Sequence, residues 1–351
     1  MMKAAVWHDF KDVRVEEVEP KPVQPDEVRV RVAYTGICGS DVHAYEDGAF
    51  IPVDEPNPIT HDKAPLVLGH EFSGVVSEVG SNVTDFAVGD HVSIDPTLTT
   101  GVAPDDEDVY HGYAFIGLST DGGLAPYVNV PESTLFHLPQ DFSLRLAALI
   151  EPTAVAVQAL KEGDLRFGQS VAVFGAGPIG ALIAAVAKAA GATKIIAIDL
   201  SEERLAKAKQ LGATDVINPA EVEDVVAEIH RLVPGGVDVA FEAAGVQPTF
   251  IQAVHSAKAR GTVVVTSIFV KPVEFNLMDL TETGVKITSS LGYSKKTFGE
   301  TVDLVSSGTI QVEDLITKEI ELDDVVEQGL ELLTTDKTQA KVLVNLEKEA
   351  D

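Results

Sequence analysis

Residues 170–191 read SVAVFGAGPIGALIAAVAKAAG. An apolar run, SVAVF, leads into Gly175-Ala176-Gly177-Pro178-Ile179-Gly180, and an Ala-rich helical pattern starts at Pro178. A GxGxxG run alone says little. Placed between a strand and a helix, with an acidic residue closing the next strand, it is the fingerprint of a dinucleotide-binding βαβ unit. The acidic residue is Asp199, 19 residues past Gly180. The glycines permit a tight turn and let backbone N–H groups approach a pyrophosphate, which the helix N-terminus attracts. Asp199 would accept hydrogen bonds from the adenosine-ribose hydroxyls and repel a 2′-phosphate, which favours NAD over NADP. Arg204, one turn into the following helix, would soften that discrimination.

Outward from this unit, apolar strand runs alternate with helical ones. Lys194–Ile198 precedes a helix over Glu202–Leu211, Val237–Phe241 precedes one over Pro248–Ala257, and Thr262–Ser267 follows. Continuous apolar strands joined by helices indicate a doubly wound parallel sheet, a Rossmann domain over residues 152–286. The first 151 residues read differently. EVRVRVA (Glu27–Ala33) and FSGVVSEV (Phe72–Val79) alternate with period two and predict half-buried antiparallel strands, with shorter strands at His91–Ile94 and Tyr127–Val130. Between them, Asp95–Gly123 is polar and irregular and carries an acidic run at Asp105–Asp108. A helix over Phe298–Ser306 and a strand over Ala340–Leu346 suggest that residues 287–351 rejoin the β-rich domain. The fold class is thus α/β, with two domains.

Of 351 residues, 26 are Lys or Arg and 55 Asp or Glu, a net charge of −29. Nucleic acid and anionic membrane are poor partners for such a surface, because phosphates reward cations. A single Cys excludes a disulfide framework and any multi-cysteine zinc site. The N-terminus lacks the apolar core of a signal peptide, so a cytoplasmic location is expected.

That one thiol, Cys38, sits in GICGSDVH (residues 36–43), and Gly69-His70-Glu71 precedes a later strand. On residue type alone, a lone Cys is commonly a small core hydrophobe. A three-ligand catalytic zinc site has no fixed long-range spacing, so both readings stay open here.

GICGSDVHAY, GHEFSGVVSEVG and the longer GVVSEVGSNVTDFAVGDHV together resemble the zinc-dependent medium-chain dehydrogenase/reductase superfamily. The resemblance spans nearly the whole chain, a GroES-like catalytic domain followed by the Rossmann domain. FIPVDEPNPITHDKAPLVLGHEFSG (residues 50–74) is similar to the butanediol dehydrogenase branch, near sorbitol and other polyol dehydrogenases. The resemblance implies one catalytic zinc held by Cys38, His70 and Glu151, with Glu71 as the alternate ligand. It implies a proton relay through Ser40 and His43, and Thr153 beside the cofactor. Asp41 reads as a turn cap. The four-cysteine lobe that many relatives use for a structural zinc has no cysteine here, so no structural zinc is expected.

The implied activity is NAD-linked oxidation of a vicinal secondary diol, with (R,R)-2,3-butanediol and acetoin as the best-matching pair. The small-molecule substrate is then a diol or acyloin. Sorbitol or L-threonine dehydrogenase activity, and a non-catalytic NAD-binding role, are the alternatives. A homo-oligomer, dimer or tetramer, is expected, with Thr281–Leu291 as the candidate interface.

Overall fold

The computed structural model describes residues 1–101 and 109–349, so the Asp105–Asp108 run lies outside the described residues. The chain divides into two compact units. One comprises residues 1–151, 294–307 and 316–351; the other comprises 152–293 and 308–315.

The first unit is β-rich. Strands β1 (Met2–Asp9), β2 (Asp12–Val18), β3 (Glu27–Gly36), β4 (Leu66–Val67), β5 (Glu71–Val79) and β6 (His91–Ile94) come first. They are followed by β7 (Thr97–Thr99), β8 (Tyr113–Phe115), β9 (Tyr127–Pro131) and β10 (Leu135–His137). Part of the Asp95–Gly123 stretch therefore is ordered: β7 and β8 pair antiparallel. β3 alternates as expected, with Val28, Val30 and Val32 fully buried and the intervening arginines half-buried. It pairs antiparallel with β5 and β9. Together with Phe72, Val76, Val92, Ile94 and Val130, these valines belong to one apolar core.

The second unit carries β11 (Ser170–Phe174), β12 (Lys194–Ile198), β13 (Asp215–Ile217), β14 (Val237–Glu242), β15 (Ala257–Val265) and β16 (Lys286–Ser289). They form one parallel sheet in the order β13-β12-β11-β14-β15-β16. Every residue of β11 is buried, as a central parallel strand covered on both faces requires. The chain order reverses between β11 and β14, and ligands of such sheets bind outside the strand carboxyl ends at that switch point.

The last two strands, β17 (Ile316–Glu321) and β18 (Lys341–Asn345), belong to the first unit. β18 pairs antiparallel with β3 and thereby extends the seven-stranded sheet. The return to the first unit starts at Ser294 rather than at residue 287. The reason is that Lys286–Ser289 pairs with Thr262–Val265 and completes the parallel sheet. Residues 308–315 also go with the second unit. Among the described residues, no helix is long and apolar enough to cross a membrane.

Candidate functional site

In the first unit, β3 ends at Gly36, and the helix Gly39–Asp47 starts with Cys38 as its N-cap. Asp41 Oδ2 accepts the Cys38 backbone N–H at 2.9 Å, so Asp41 does cap the turn. Its second oxygen has another neighbour: Asp41 Oδ1 lies 3.4 Å from His70 Nδ1. Both atoms are buried and neither has a hydrogen-bond partner. On the other side of the ring, Ser40 Oγ lies 3.1 Å from His70 Nε2. Burial pushes the His70 imidazole down, but Asp41 and then Cys38 outweigh it and hold its pKa well above the ordinary value.

Donor atoms of Cys38, His70 and Glu71 all lie within 4.8 Å of one another. Sulfur, imidazole nitrogen and carboxylate oxygen are the donor types that zinc takes, and the anionic field that favours a proton on His70 favours a cation as well. A proton on Nδ1, facing Asp41, leaves Nε2 its lone pair. These residues fit a zinc ion. Glu151, the carboxylate expected ahead of Glu71, is buried in the first turn of the helix Ile150–Glu162 and is not one of this group. His43 is exposed on the helix Gly39–Asp47.

Glu71 is fully buried and its carboxylate is held by a residue absent from the sequence reading. Lys341 Nζ donates to Glu71 Oε1 at 2.6 Å and Oε2 at 2.5 Å, and to the Ile37 carbonyl at 3.2 Å. Burial lowers the ammonium's affinity for its proton, but Glu71, Cys38 and Glu151 more than offset this and raise its pKa. Gly36 makes room for the pair: a Cβ there would stand 2.2 Å from Glu71 Oε2. The available signal was a Lys at the head of the otherwise apolar run KVLV.

In the second unit, β11 passes directly into the glycine-rich turn. Gly175 has φ +96°, and a Cβ on it would lie 2.9 Å from the Ala243 carbonyl carbon. A Cβ on Gly180 would lie 1.8 Å from the Gly175 carbonyl oxygen, so this glycine is needed for the helix to approach the turn. At Gly177 a Cβ would meet nothing within 4 Å. That open side, with Pro178 in the first helical turn and Ile179 half-buried after it, is the cradle that suits a pyrophosphate. Asp199 follows β12 and accepts from the Ala176 N–H at 2.8 Å and the Ser201 N–H at 2.9 Å. Arg204 Nη1 lies 3.8 Å from Asp199 Oδ2. Thr153 is fully buried on the helix Ile150–Glu162.

The model of an alcohol dehydrogenase GroES-like domain matches residues 24–140, and that of a zinc-binding dehydrogenase matches residues 178–307. (R,R)-butanediol dehydrogenase of Bacillus subtilis is 43% identical over 98% of this chain and 99% of its own. A crystal structure of that organism's 2R,3R-butanediol dehydrogenase superposes with a TM-score of 0.93, covering 98% of this chain and 99% of that one. D-xylulose reductase A of Aspergillus niger is 36% identical over 90% of this chain and 87% of its own. A protein of Sinorhizobium meliloti 1021, classed as a candidate zinc-binding dehydrogenase and bound to NADP, is 31% identical, with a TM-score of 0.86 over 98% of this chain and 99% of that one. With both domain models matched in order and identity sustained from end to end, the chain belongs to the zinc-binding alcohol dehydrogenases of the medium-chain dehydrogenase/reductase family.

Proposed function

We propose that the chain oxidises a vicinal secondary diol with NAD, its best substrate being (R,R)-2,3-butanediol, which gives acetoin. The hydroxyl loses its proton, the carbinol carbon passes a hydride to nicotinamide C4, and a ketone, NADH and a proton result. The observation that carries this reading is the convergence of Cys38, His70 and Glu71 donor atoms within 4.8 Å in a chain 43% identical to a butanediol dehydrogenase. Zinc held by these residues would supply Lewis acidity, which lowers the pKa of the hydroxyl it polarises.

The chain's own residues do the rest. Asp41 orients His70 through Nδ1, and Cys38 supplies the soft donor. Glu71 serves as ligand or neighbour of the metal, with Glu151 as the other carboxylate of the set, and the single Cys argues for one zinc per chain. Ser40 and exposed His43 offer a path for the proton. A diol's second hydroxyl offers a hydrogen bond that a simple alcohol lacks, and a site built around a hydroxyl discriminates strongly against its absence.

NADH formation with R,R-, meso- and S,S-butanediol, sorbitol, threonine and ethanol tests the assignment. R,R and meso diols are expected to react best. A higher specificity constant for sorbitol would favour the second reading, a polyol dehydrogenase, which the D-xylulose reductase relative supports. Wild-type activity after verified metal removal would sink the zinc reading.

The same proposal includes a homo-oligomer. β16 is an edge strand of the parallel sheet, and Leu277, Met278, Ile287 and Leu291 near it are exposed. Light scattering gives the assembly size, and Ile287→Glu is expected to reduce it.

A further inference from the structure

Glu242 is the last residue of β14, beside the switch point of the parallel sheet, and it is fully buried. Among the described residues no Lys, Arg or His pairs with it. Its carboxylate is satisfied by neutral donors instead. Oε1 accepts from the Ala244 N–H at 3.1 Å, the Gly245 N–H at 3.0 Å and the Thr249 hydroxyl at 2.6 Å. Oε2 accepts from the Ser267 hydroxyl and, at 3.3 Å, from the Gly245 N–H. The Glu242 carbonyl accepts from both the N–H and the hydroxyl of Thr266, each at 2.9 Å.

These bonds join two loops at the carboxyl end of the sheet. One, residues 243–245, follows β14; the other, residues 266–268, follows β15. The first loop abuts the glycine-rich turn, because Gly175 tolerates no Cβ against Ala243 and Ala244. The second abuts the first, because a Cβ on Gly245 would stand 2.7 Å from the Ile268 carbonyl oxygen. Asp199 lies after β12, on the opposite side of the switch point. A dinucleotide whose adenosine ribose meets Asp199 and whose pyrophosphate crosses the Gly175–Gly180 turn must extend its other half over the loops after β14 and β15.

We propose that Glu242 is a positioning residue for the nicotinamide half of the cofactor, acting through these two loops without touching it. A buried carboxylate is a costly brace, since removing it leaves several buried donors without an acceptor. An apolar residue would serve if close packing of the loops were the only requirement. This inference rests on the dinucleotide reading above.

The test is equilibrium binding rather than turnover, with NADH followed by its fluorescence and 5′-AMP by competition. AMP carries only the adenosine end. Glu242→Ala is expected to raise the NADH dissociation constant about tenfold while the AMP constant stays within twofold. Glu242→Gln, which keeps an acceptor at Oε1, should recover most of the loss. If Glu242→Ala does not fold, Ser267→Ala decides, since it cuts the carboxylate's one bond to the second loop and leaves the Thr266 bonds to the Glu242 carbonyl; a threefold or greater loss for NADH alone is expected. Unchanged NADH affinity, or NADH and AMP weakened by the same factor, overturns the proposal. Wild type binding neither ligand instead overturns the dinucleotide reading itself.

Discussion

Lys341 and Glu71 form a buried ion pair, 2% and 0% exposed, between strands that lie 270 residues apart in the chain. Breaking such a pair from one side leaves an uncompensated buried charge, a loss of about 3–5 kcal/mol. Lys341→Met should therefore destabilise the metal-free protein by about that amount in urea unfolding. Adding Glu71→Gln should restore much of it, because the orphaned charge is then removed as well. If the double variant is as unstable as the sum of the single ones, the two residues are not coupled.

Under the dinucleotide reading, Asp199 both accepts the adenosine ribose and repels a 2′-phosphate. Asp199→Ala removes the ribose acceptor and the 2′-phosphate repellent together, so the KM for NAD should rise and the ratio of kcat/KM for NAD over NADP should fall. The Ala176 N–H also loses its partner, so NADP should not gain as much as NAD loses. Arg204→Gln leaves Asp199 without the cation 3.8 Å away and should sharpen the preference for NAD. Steady-state kinetics with both cofactors settle the point, and a wild type that prefers NADP would contradict this account of Asp199.

Burial pushes Asp95 up to about 6, although its bond from the Thr97 N–H opposes the rise. A carboxyl whose folded-state pKa exceeds its unfolded one favours the folded state below the unfolded pKa, and that contribution is lost as pH climbs through the folded pKa. The gap from an ordinary 3.8 to about 6, at 1.36 kcal/mol per pH unit, corresponds to roughly 3 kcal/mol. Asp95→Asn should lack this loss between about pH 4 and 6 and should exceed wild type in stability at pH 7. Denaturant midpoints across that range provide the check. A parallel pH dependence in the two proteins would show that Asp95 titrates normally.

His43 is exposed on the helix that Cys38 opens. In the proposed function it is the last carrier of a departing proton, which predicts an effect on turnover and not on substrate binding. His43→Ala should lower kcat by up to about 10²-fold, leave KM nearly unchanged, and be partly rescued by imidazole buffer. A variant with wild-type kcat would make the residue structural.

The parallel sheet was legible because its signals are local. SVAVF and KIIAI match β11 and β12 residue for residue, since a strand buried on both faces is written as an unbroken apolar run. The glycine-rich turn was legible for the same reason: turn chemistry and helix entry depend on neighbours in sequence. Cys38 and His70 could be nominated by residue type and resemblance, and GICGSDVH even placed Asp41 where it would cap the turn. What tertiary structure alone decided were the long-range pairings. The registry of β18 on β3 carries Lys341 to Glu71, the fold turns Asp41 Oδ1 toward His70, and Glu71 rather than Glu151 joins the cluster of donors. Likewise Lys286–Ser289, which the sequence reading split between the two domains, becomes β16 because β15 offers it an unpaired edge. Periodicity records which face of a segment is buried but carries no register between distant segments; the packing of one sheet against its own return strand supplies it.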